Sequence, residues 1–157
     1  MFTAMRIIHL LAAMIWVGGS IALIVAGVPA VRKLEGEARA TAMRALGLRW
    51  RPLGWGAMAV AIVSGLWLTD HHGGFNEQAL STSFDKTLIA KSVLVVFLVI
   101  ASVIHNSVLG PKLQRQLREG SPEAPATRRR LVVVGYVSFA LTIAVPVLGA
   151  VAVEYLR

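Results

Sequence analysis

The ionisable side chains that fall inside apolar stretches are where this chain would do chemistry. His9 lies in the first hydrophobic run, and at helical spacing its face continues through Met5, Trp16 and Ser20, with Ala12 and Ala13 one turn further in. Lys91 and His105 share a second run. They are 14 residues apart, nearly four turns, which puts them within about 40° on one helix face and roughly 21 Å apart along it. Asp70, His71 and His72 stand together at the end of another run. Neutral imidazole ligates copper, haem iron and zinc alike. His9 and His105 fall near opposite ends of their runs, so they define two candidate metal sites, and one of His71 or His72 would complete the site at His9. The blander roles are a histidine hydrogen-bonded across a helix bundle and a polar loop after a helix end. Lys91 would either reach outward along its stem to a membrane interface or face the bundle and hold an anion such as a carboxylate or a haem propionate. An ionisable residue in a membrane span points to function by default.

These residues need helices in a bilayer to position them. The 157 residues are 56% hydrophobic and only 15% charged, below the roughly 25% usual for soluble domains. Four segments are long and apolar enough to cross the hydrocarbon core: Ile7–Val31, Pro52–Thr69, Thr87–Leu109 and Leu131–Val153. The first holds 25 residues without a formal charge, longer than the h-region of a signal peptide, and is expected to be a retained span. The second is the shortest and would draw on Trp50 or Asp70 to reach across. The fold expected is an all-α, integral-membrane four-helix bundle forming a single domain over 1–157.

The net charge of +8 does not point to nucleic acid, because the basic residues flank the apolar runs and have few aromatic neighbours. Arg32, Lys33, Arg39, Arg44, Arg49 and Arg51 lie between the first two spans, and Lys112, Arg115, Arg118, Arg128, Arg129 and Arg130 between the last two. The loop between spans two and three holds Lys86 alone. This asymmetry predicts cytoplasmic basic loops, with both termini and the His71–His72 loop outside, in a bacterial-type inner membrane. Residues 35–48 have the composition of a short helix along the headgroups. Residues 111–119 would extend span three into water, and 120–125 form a linker.

Small residues at four-residue spacing, Gly18, Ala22 and Ala26 on span one and Ala57, Ala61 and Gly65 on span two, predict a close antiparallel contact. The stretch ending span one, Gly27-Val-Pro29-Ala-Val-Arg32, is also similar to Leu109-Gly-Pro111-Lys112. Superposing these prolines, 82 residues apart, sets His9 opposite Lys91 and suggests a parallel repeat of two hairpins. Pro146 would kink span four, and Tyr136 would reach His105. There is no cysteine, which removes disulfides, thiolate metal sites and c-type haem attachment. No nucleophile–base pair, phosphate-binding glycine loop or paired carboxylate stands in a span, so no catalytic residue is expected.

His9-Leu-Leu-Ala-Ala-Met-Ile-Trp16-Val-Gly-Gly resembles the opening helix of the copper resistance protein D (CopD) family. Ser64-Gly65-Leu66 and the element from Lys91 through His105-Asn-Ser-Val-Leu-Gly-Pro111-Lys are similar to that family's later helices. The resemblance implies a four-helix membrane unit that moves or handles copper from the periplasmic side. Span one also resembles the start of HemJ-type protoporphyrinogen oxidases, small b-haem membrane proteins. His9 and Lys91 are the matching positions, and the likeness implies a b-haem protein for electron transfer or porphyrin oxidation; the haem alternative read from the residues takes in His105 as well. The chain departs from a copper importer in lacking an external methionine cluster, since thioether ligands select Cu(I). A third reading is an accessory subunit of a larger membrane complex, or a homo-oligomer, docking through its small-residue faces.

Overall fold

The computed structural model describes residues 1–71 and 83–154, all of the regular structure in them helical. The chain divides into two compact units, Met1–Gln78 and Ala79–Arg157, each a helical hairpin. Four helices are long and apolar enough to cross a membrane: Phe2–Arg32, Gly36–His71, Ser83–Arg118 and Ala124–Ala152. This is the all-α membrane architecture that the hydropathy predicts. His72 lies outside the described residues, as do Gly73 and Gly74.

In the first hairpin, α1 (Phe2–Ala22) continues through a π-helical turn (Leu23–Gly27) into α2 (Val28–Arg32). The chain reverses over three residues, tightened by i→i−3 bonds from Lys33 and Leu34 to Ala30 and Val31. Gly36, at φ +52°, takes the left-handed conformation that a side chain disfavours. The returning helix α3 then runs unbroken from Gly36 to His71. The headgroup helix expected over 35–48 is thus the first part of the span itself, because its alanines, leucines and arginines propagate helix through Trp50. Pro52 leaves the Leu48 carbonyl without its helical donor. Arg49 and Arg51, between these two residues, are exposed.

The second hairpin repeats the plan. Helix α4 (Ser83–Val103) passes through a π turn (Ile104–Leu109) into α5 (Gly110–Arg118), extending span three as the sequence predicts. Gly120, at φ +64°, ends α5, and the Ser121 amide donates back to the Gln116 carbonyl at 2.9 Å, a Schellman closure. The Gln116 amide donates to Glu123 Oε2 at 3.0 Å and locks the turn. Helix α6 (Ala124–Glu154) starts inside the expected linker and runs through Pro146.

Both π turns have the same cause. A proline ring clashes with the carbonyl four residues before it, which is Val25 for Pro29 and Ser107 for Pro111. Each carbonyl lies within a π segment, where the wider turn moves it aside.

The hairpins bury mostly small and weakly polar side chains, Ala12, Ala57 and Ser64 in the first and Ala101, Ser102 and Thr142 in the second, with one larger apolar residue in each, Met58 and Leu98. Large apolar residues such as Leu10, Met14, Val63, Val96 and Val147 face outward. Such a surface belongs in lipid, where close backbone approach and not hydrophobic burial holds helices together.

Candidate functional site

His9 is clamped between α1 and α3. Its Nδ1 lies 2.9 Å from the Ala61 carbonyl and 3.1 Å from Ser64 Oγ. The Ser64 hydroxyl donates in turn to the Val60 carbonyl, which leaves its oxygen to accept. A carbonyl only accepts, so Nδ1 carries the proton and the neutral ring has its lone pair on Nε2. Gly65 makes the fit possible. A methyl carbon there would stand 3.0 Å from His9 Cε1, tighter than ordinary contact.

Two turns along α1, Trp16 tilts against Trp50 with ring centroids 6.3 Å apart. The Trp50 indole fills the space over Gly19, and Gly54 is pressed by both rings. The close contact between spans one and two is present, but on span one it differs from the expected row. Gly18, Ala22 and Ala26 are exposed, and Ala12 and Gly19 make the approach instead. On α3 the expected residues hold: Ala57 is buried and Gly65 seats the imidazole.

His71 is engaged on its own helix. Its ring stacks on Trp67 at 3.6 Å and its Nδ1 donates to the Trp67 carbonyl at 3.0 Å. Trp67 meets Phe2 of α1, with centroids 6.2 Å apart. Asp70 comes within 4.0 Å of His71 Nδ1, both side chains being exposed. His71 is six residues, about 9 Å, along α3 from Gly65, which sets it nearer the helix end than the His9 ring.

In the second hairpin His105 sits in the π turn. The Asn106 amide nitrogen donates to the Ser102 carbonyl at 2.9 Å, turning Asn106 Oδ1 toward His105 Nδ1 at 3.3 Å. This arrangement also favours the tautomer with its lone pair on Nε2. That Nε2 faces the backbone of Gly135, where a methyl carbon would come within 3.2 Å. The expected partner Tyr136 is 70% exposed and turns away, because successive residues on a helix diverge by about 100°. Lys91 is held against Gly149 of α6, where a methyl carbon would lie 3.3 Å from Nζ.

Among the described residues no three His, Cys, Asp or Glu side chains come together to hold a metal ion. The imidazoles are set singly, each oriented by a neighbour. Sequence reasoning located His9, Lys91 and His105 but not their supports, Ala61, Ser64, Gly65, Asn106, Gly135 and Gly149. The signals that the sequence did carry for these supports were the small-residue row of Ala57, Ala61 and Gly65 and the polar–small pair Ser64-Gly65.

A sequence model of the copper resistance protein D family, CopD, matches residues 43–153. The chain belongs to the CopD family. The match takes in α4 to α6 and most of α3, with Lys91, His105 and His71. It leaves out α1 and His9, so the His9 niche stands on geometry alone. No curated protein and no solved structure matches the chain.

Proposed function

We propose that this CopD-family membrane protein handles copper as a cargo, taken up at His9 from the periplasmic side. One observation carries the reading: the His9 ring is fixed by the Ala61 carbonyl and Ser64, so that Nε2 bears the ligating lone pair. Outer-shell bonds of this kind set the tautomer and orientation of metal-binding histidines. The family supplies the metal, and the positive-inside pattern supplies the side of entry.

The donor set suits a passing ion better than a resident one. Closed metal sites use three or four protein ligands, whereas among the described residues no three His, Cys, Asp or Glu side chains converge around His9 or His105. His105, near the other end of its span, is a second station. Met5, one turn before His9 on the same face, is the nearest soft donor in sequence. His71 has its Nδ1 bonded to the Trp67 carbonyl in the same way, but it stands about 9 Å further along α3 than the glycine that seats His9, and His72 lies outside the described residues.

The test is copper content per chain after loading purified protein with Cu(I) or Cu(II), read with the optical spectrum. His9→Ala loses the outer ion, whereas His105→Ala retains it. Equal loss from both variants sinks the two-station reading. A Soret band with sharp reduced α and β bands assigns haem b in place of copper.

A further inference from the structure

The two hairpins match in more than outline. Each carries a π turn, a proline at the start of the next short helix, a left-handed glycine at the reversal and a long returning helix. Pro29 and Pro111 are 82 residues apart, and Gly36 and Gly120 are 84 apart, the second turn being two residues longer. The same offsets relate the polar contacts. His9 and Lys91 are 82 apart on the outgoing helices, and the glycines they press against, Gly65 and Gly149, are 84 apart on the returning ones. Lys91 therefore occupies, in its own hairpin, the niche that the imidazole occupies in the other.

The chemistry of the two niches differs. On α3 the His9 niche supplies acceptors, the Ala61 carbonyl and the Ser64 hydroxyl. The corresponding positions on α6 are Val145 and Leu148, so the Ser64 hydroxyl has no counterpart there and only main-chain carbonyls remain. No hydrogen bond or ion pair joins Lys91 to any of the described residues. An ammonium kept in an apolar span without a partner among the described residues is costly. The missing side chain at Gly149 is what lets Lys91 Nζ lie against the α6 backbone.

We propose that the Lys91–Gly149 niche binds an anionic oxygen ligand, a carboxylate or a phosphate, delivered either by a lipid headgroup or by a soluble anion. The site is independent of the copper reading, since it uses no residue of the His9 niche.

The test uses the full chain with 15N-labelled lysine. Lys33, Lys86, Lys91 and Lys112 are its only lysines, so four Nζ signals are expected, Lys91 being assigned by its loss in Lys91→Met. Spectra are compared in three bilayers: phosphatidylcholine nanodiscs, the same with phosphatidylglycerol added, and phosphatidylcholine nanodiscs with acetate or inorganic phosphate in solution. The expected result is a saturable shift of the Lys91 signal in one of the anionic samples, which identifies the source, and loss of that shift in Gly149→Leu. Gly149→Ala, a smaller intrusion, weakens the shift in a protein that keeps its helical circular dichroism. Absence of a Lys91 shift in every sample, or a shift that both Gly149 variants leave unchanged, overturns the proposal.

Discussion

Replacing Gly65 by alanine sets two effects of opposite sign against each other. Removing a glycine from a helix interior favours the helix by up to about 1 kcal/mol. Against this, the new methyl carbon would stand 3.0 Å from His9 Cε1 and 3.4 Å from Nδ1. Carbon atoms rest near 3.5–4.0 Å apart, so the ring must give way by about 0.5 Å. That stretches the 2.9 Å bond from Nδ1 to the Ala61 carbonyl toward its limit. Overpacking typically costs about 1–3 kcal/mol, and an interhelical hydrogen bond in a membrane protein is worth about 0.6 kcal/mol. The clash outweighs the propensity gain, and Gly65→Ala should destabilise the protein by about 1–2 kcal/mol. Gly18→Ala is the control, because nothing lies within 4 Å of its added carbon. It should be neutral or slightly stabilising. Unfolding by sodium dodecyl sulfate in mixed micelles, followed by circular dichroism, measures both. In a His9→Ala background the penalty at Gly65 should vanish, since the ring it meets is gone. Equal stability of Gly65→Ala and Gly18→Ala in the wild-type background would refute the clamped imidazole.

Two further outcomes follow from the turns and the charge pattern. Gly36 has open space around it but a φ of +52°, so Gly36→Ala should cost about 1–2 kcal/mol from backbone conformation alone, and Gly36→Asn less. A neutral Gly36→Ala in the same unfolding assay contradicts the left-handed turn. Because the chain has no cysteine, single substitutions Thr3→Cys and Arg39→Cys report topology with an impermeant maleimide on intact cells. Labelling is expected at position 3 and not at 39, and the reverse pattern removes the periplasmic route to His9.

The spans were legible because hydropathy is a property of long stretches. All four predicted segments fall within the observed helices, and the extension of span three by residues 110–118 was readable from its composition. What escaped reading depends on rotation about a helix axis. Gly18 and Gly19 are adjacent and chemically identical, yet only Gly19 meets Trp50. The choice is set by helix packing and the π turn beyond, neither visible in a spacing rule. Tyr136 failed as a partner for His105 for the same reason, its neighbour Gly135 taking the inward position. The ionisable residues were easy to find because charge is rare in an apolar run. Their supports were hidden because carbonyls such as that of Ala61 belong to every residue and leave no mark in a sequence.

The bond between His9 and Ala61 has a consequence for turnover. It occupies Nδ1, so in the proposed copper site a proton or an ion could come and go at Nε2 without breaking it. Swapping one for the other then asks no separation of α1 from α3. If His9 takes copper as proposed, ligand exchange at Nε2 would leave the Nδ1 bond between α1 and α3 standing.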